Sequence, residues 1–170
     1  MFPPPELKAV SKEVAELLKE RGETLSVVET AAGGLTSAAI LATPGASSIF
    51  KGGLQLYTLE SRVAYGGWTE ENLRNYAGPT PEIVKGLAEH VRGTLTTTYT
   101  VCESGTAGPT GGETKNRTPG YVALAVTSAA GTVTREVDTG LDGDREANML
   151  KFAVEGLTLL RDLIKGDVKP

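Results

Sequence analysis

Along the first twenty residues the apolar positions Leu7, Val10, Val14, Leu17 and Leu18 recur at helical spacing, and Gly22 supplies a stop. The stretch TLSVVET (24–30) changes the period. Its β-branched residues form a short apolar run that closes on Glu29, which predicts a buried strand. AAGGLTSAAILAT (31–43) turns through Gly33 and Gly34 into a helix of small residues that ends before Pro44, and GGLQLYT (52–58) reads as a second strand. Thr69, with Glu70 and Glu71 behind it, predicts a short helix, because a threonine hydroxyl caps free amides and acids favour the first turn. Thr80 and Pro81 open another, with Ile83, Val84, Leu87 and Val91 as its buried stripe.

TTYTVCES (97–104) is a third strand that runs into the glycine-rich GTAGPTGGETKNRTPG (105–120). YVALAVTS (121–128) and GTVTREVDT (131–139) predict a hairpin around Ala129, Ala130 and Gly131. A long helix from about Asp144 carries Met149, Phe152, Ala153, Leu157, Leu160 and Ile164 on one face, and Gly166 ends it. Strands alternating with helices, then a hairpin and a closing helix, predict an α/β fold. It is expected to be a single three-layer α/β/α domain with a mixed sheet over residues 1–170, behind a short proline-containing tail, 1–5. In such sheets ligands sit beyond the carboxyl ends of the strands.

Composition narrows the chemistry more than the fold. A net charge of −4 and 5% aromatic residues supply neither the basic footprint nor the stacking platform of a nucleic-acid binder, so no nucleic-acid partner is expected. No run of eighteen apolar residues exists to span a membrane, and the opening MFPPPELKAV lacks the unbroken apolar stretch of a signal peptide. The single cysteine, Cys102, permits no internal disulfide, so the expected location is cytoplasmic. With one histidine, His90, in a helical pattern, neither a metal site of ordinary ligand type nor a Ser-His-Asp triad is expected, and no cofactor is implied.

Two glycine loops follow predicted strands. ETAAGG (29–34) leads straight into a helix, where it serves equally as a tight turn or as an anion cradle at a helix N-terminus. The loop 105–120 is long for a compact domain, and long loops in compact domains tend to be functional. Ser47, after Gly45 and Ala46, suits a turn or cap as well as chemistry.

Five stretches in one order carry a resemblance to a known family. They are Glu29-Thr30-Ala31-Ala32-Gly33-Gly34, Pro44-Gly45-Ala46-Ser47, Tyr57-Thr58-Leu59 with Arg62 three residues on, Ser104-Gly105-Thr106-Ala107-Gly108-Pro109, and Gly143-Asp144-Arg145. From about Leu7 to Ile164 the chain resembles the C-terminal domain of the CinA family, the nicotinamide-nucleotide amidohydrolases. The resemblance implies a Ser/Lys amidohydrolase that converts nicotinamide mononucleotide to nicotinic acid mononucleotide and ammonia, and a chain that self-associates as a homo-oligomer. It puts the nucleophile on Ser47, a helping tyrosine on Tyr57 and the lysine base on Arg62. Substrate binding falls on Thr30, Gly33, Gly34, Ser104, Gly105, Thr106, Ala107, Gly108 and Arg145.

This chain departs from the family at the decisive position. A buried lysine sheds its proton and becomes a base, but arginine stays protonated and has no acceptor lone pair. Two substitutes are open: a Tyr57 phenolate favoured by Arg62, or a carboxylate such as Glu29 or Glu60. The first glycine loop also loses polar side chains, since the family's Ser-Cys-Thr stands here as Thr30-Ala31-Ala32. The alternative to an amidohydrolase is therefore a catalytically inactive relative that binds a nucleotide or a small anion.

Overall fold

The computed structural model describes residues Met1–Pro170. Its framework is a five-stranded sheet in the order β2-β1-β3-β4-β5. The strands are β1 (Leu25–Glu29), β2 (Phe50–Gln55), β3 (Tyr99–Gly105), β4 (Tyr121–Ser128) and β5 (Gly131–Asp138). β1 runs parallel to β2 and β3, whereas β4 is antiparallel to both β3 and β5. The sheet is thus mixed, as its sequence pattern predicts.

Side chains of β1 and β3 alternate between two covered faces, which is why these central strands read as apolar runs. Val27, Val101 and Leu124 point to one face, covered by α1 (Pro5–Arg21), α2 (Leu35–Leu41) and α6 (Arg145–Lys165). Val28, Cys102 and Ala125 point to the other, where α5 (Pro81–Leu95) lays down Val84, Leu87 and Val91. The first face holds 26 buried apolar residues and the second only 10, so the second layer is thin. It is completed by two short helices, α3 (Leu59–Tyr65) and α4 (Glu70–Arg74), which leave room for cavities beside the sheet.

The helix ends follow the expected chemistry. Thr80 Oγ1 accepts from the Ile83 amide and Asp144 from the Ala147 amide, while Gly22 and Gly166 close their helices with φ of +63° and +83°. α3 goes beyond the sequence reading. It is one short helix capped by Thr58, whose Oγ1 accepts from the Ser61 amide, and its one buried residue is Arg62. A helix without an apolar stripe has no 3.6-residue signal to read. No helix is long and apolar enough to cross a membrane.

Candidate functional site

The carboxyl ends of the parallel strands β1 and β3 set out the site. On β1 and β3 the residues alternate, so Glu29 and Glu103 fall on the α2–α6 face while Thr30 and Ser104 turn toward α3 and α5. Thr30 and Ser104 are both buried, and Thr30 Oγ1 donates to Ser104 Oγ over 3.1 Å. Together with Tyr57, Arg62, Tyr76 and Gly105 they line a cavity of about 320 Å³, the deep lobe of a groove. A second cavity of about 180 Å³, the rim lobe, shares Ala31, Tyr57 and Gly105 with it and adds Thr106, Ala107, Gly108 and Arg145. Gly105 must be glycine here, because a β-carbon would sit 2.5 Å from the Tyr121 carbonyl oxygen and 2.8 Å from the Phe152 ring.

Arg62 is 3% exposed. Its Nε donates to the Leu56 carbonyl over 3.2 Å, and its guanidinium carbon lies 5.1 Å from the Trp68 ring centre and 5.4 Å from that of Tyr76. Nη1 is enclosed and has no hydrogen-bond partner. The aromatic faces stabilise the charge but accept no in-plane hydrogen bond. Trp68, with the Tyr76 ring 5.9 Å away, walls the guanidinium.

Arg145 behaves differently. It starts α6 at the surface, where Nη1 donates to the Gly108 carbonyl over 2.6 Å and Nη2 to the Tyr57 hydroxyl over 3.2 Å. The guanidinium at the Tyr57 hydroxyl is therefore Arg145's rather than Arg62's. Loop 105–120 is held from below by Asn148, a buried polar residue absent from the sequence reading. Its Nδ2 donates to the carbonyls of Ala107 and Asp142 over 3.0 and 2.8 Å. The available signal was a single asparagine inside an otherwise apolar helical stripe.

The first glycine loop is a turn whose donors are already used. Gly33 and Gly34 take φ of +70° and +95° to enter α2, and neither lines the groove. Glu29 accepts from the amides of Thr36 and Ser37 and from the Ser37 hydroxyl, so the N-terminus of α2 holds an internal carboxylate where a ligand anion would go. Glu103 Oε1 accepts from the amides of Thr30 and Ala32 over 2.6 and 2.8 Å, and its Oε2 finds no partner. Burial pushes the Glu103 carboxyl up to about 7, against the pull of the two amides and the Arg62 charge. Glu60 is exposed on α3.

Ser47 is the clear departure from the expected constellation. It is exposed in the single turn Ala46–Ser48 before β2, whereas Tyr57 and Arg62 follow β2. Six residues of extended chain lie between, and at about 3.3 Å per residue they separate the two ends by roughly 20 Å. The chain direction of β2 thus places Ser47 beside the C-terminal end of α1, where Lys19 Nζ donates to the Pro44 carbonyl. The serine and threonine residues that share the deep lobe with Arg62 and Tyr57 are Thr30, Ser104 and Thr58, of which Thr30 and Ser104 are buried.

Comparison with known proteins agrees with the fold. A family profile described as the CinA C-terminal domain matches residues 7–164. A CinA-like protein of Myxococcus xanthus is 35% identical over 154 residues, covering 91% of this chain and 36% of the relative. A CinA-like protein of Prochlorococcus marinus is 32% identical over 157 residues, covering 92% and 36%. The chain thus spans about a third of the length of the curated relatives it matches. Among solved structures, the competence/damage inducible protein CihA from Agrobacterium tumefaciens superposes with a TM-score of 0.88 at 22% identity, over 96% of this chain and 98% of that one. A competence or damage-inducible protein from Enterobacter asburiae gives 0.84 at 24% identity, over 93% and 98%. At such identities the structural likeness concerns the fold.

Proposed function

The chain belongs to the CinA C-terminal domain family, and from that premise we propose that its two-lobed groove holds a nicotinamide-type nucleotide without hydrolysing the carboxamide at a useful rate. The ring and its substituent occupy the deep lobe and the phosphate lies toward Arg145. One observation carries this reading: the only hydrogen-bond partner of the Thr30 hydroxyl is another hydroxyl, and the cation lining that lobe is a guanidinium. A hydroxyl attacks a carboxamide only when a base removes its proton, and Arg62 has no lone pair to do so. Glu29 is committed to capping α2, and Glu103, with Oε1 on the amides of Thr30 and Ala32, lies on the α2–α6 face; neither lines the lobe. Loss of a general base costs about 10²–10⁴ in rate.

A second reading, hydrolysis with Thr30 as the attacking group, is favoured by the Thr30–Ser104 hydroxyl pair at the strand ends. One experiment separates the two. The chain and its Arg62→Lys variant are incubated with nicotinamide mononucleotide, following ammonia release and thermal shift together. A shift without ammonia in the wild type, with ammonia appearing in the variant, is the expected result. Ammonia from the wild type at a normal rate replaces the first reading with the second, and no shift with any pyridine nucleotide removes both.

A further inference from the structure

Arg62 brings a permanent charge into the deep lobe with nothing to oppose it there. It is 97% buried, its Nε is its one engaged donor, and Nη1 has no acceptor. No aspartate or glutamate lines either lobe, although the chain as a whole carries a net charge of −4. Glu103, a buried acid that feels the Arg62 charge, lies outside the lobe and spends Oε1 on the amides of Thr30 and Ala32. A buried cation without a counter-ion is expensive, and its guanidinium edge fits two oxygens in one plane. Ser104 adds a second donor: its Oγ accepts the Thr30 proton, so its own O–H is left to give. The lobe is a set of donors waiting for acceptors.

We propose that the deep lobe is a carboxylate receptor, so that this chain selects the acid form of its nucleotide ligand over the carboxamide. The inference rests on the proposed groove and names what the groove prefers. A carboxylate presents two accepting oxygens to Arg62 and Ser104 and neutralises the charge. A carboxamide of the same shape offers one acceptor, and its NH₂ group adds donors to a lobe already full of them. The arginine that disables hydrolysis thus turns the site toward the molecule that hydrolysis would have produced. Tyr76 and Trp68 hold the guanidinium in place while the acid enters.

The test is calorimetric titration of the full chain with nicotinic acid mononucleotide and nicotinamide mononucleotide at about 0.15 M salt, beside Arg62→Gln and Arg62→Lys. The acid is expected to bind at least about tenfold tighter than the amide, since charge-assisted pairs are roughly twice as strong as neutral ones. The preference should vanish in Arg62→Gln and survive in part in Arg62→Lys. Equal or tighter binding of the amide by the wild type overturns the receptor and leaves the nucleotide groove standing, whereas silence with both ligands overturns the groove itself. The wild-type ratio decides the matter even if a variant does not fold.

Discussion

The two lobes of the groove meet at Tyr57, yet their arginines live under opposite conditions. Arg145 is exposed, anchored to the Gly108 carbonyl and to the Tyr57 hydroxyl, so water and fixed acceptors share its charge. Arg62 is enclosed between Trp68 and Tyr76, with one donor engaged and another unpartnered. Supporting residues differ in the same way. Asn148 beneath the rim lobe satisfies two loop carbonyls, while Glu103 beneath the deep lobe retains an oxygen without a partner. A satisfied group defines a shape. An unsatisfied one stores a preference for what would satisfy it, and a stable fold tolerates such a group only where the rest of the core can offset the cost.

The largest effect that would sharpen this contrast is the pH response of Glu103. Its carboxyl is raised from an ordinary 4.5 to about 7, so the folded chain holds the proton that the unfolded chain has released. Below pH 4.5 both states are neutral at this group; stability then falls as pH rises toward 7 and levels off above it. At about 1.4 kcal/mol per pH unit the loss is about 3 kcal/mol. Glu13 and Glu136, held low mainly by Lys165 and by the Tyr121 hydroxyl, act with the opposite sign at more acid pH. Urea midpoints at pH 5 and pH 8 should differ in the wild type and converge in Glu103→Gln; equal midpoints in the wild type would show that burial does not hold the proton.

Asn148→Ala comes next. It strands the carbonyls of Ala107 and Asp142, which should cost about 2–3 kcal/mol in urea unfolding and loosen the rim lobe while leaving the acid-over-amide ratio alone. Arg62→Met has the reverse sign. Replacing an unpaired buried charge with an apolar side chain should raise stability by about 1 kcal/mol and abolish the preference for the acid. A fall in stability there would mean that the Trp68 and Tyr76 faces and the Leu56 carbonyl compensate the charge in full. The smallest structural effect belongs to Arg145→Ala, which should shift the urea midpoint by less than about 1 kcal/mol and weaken both nucleotides alike. Ser47→Ala, at the far end of β2, should change neither binding nor stability measurably.

Much of this molecule is written in local sequence. The shift from helical spacing to β-branched runs locates β1, β3 and β4, threonine and aspartate caps open α4, α5 and α6, and the alternation of types predicts a mixed, doubly covered sheet. Four of the five stretches from Glu29 to Arg145 also mark loops that gather at one end, and Thr30, Tyr57, Arg62, Ser104 and Arg145 do line the groove. Tertiary structure decided the rest. The direction of β2 removed Ser47 from the groove and left Thr30 in it, because a strand carries its two ends apart while sequence distance does not record direction. Glu29 and Glu103 closed the first glycine loop to ligand anions, since a backbone amide takes the nearest acceptor that folding supplies. Arg62 on its short unpatterned helix became a buried, unpaired charge, and burial is a property of the packed layers around a residue rather than of its neighbours in the chain.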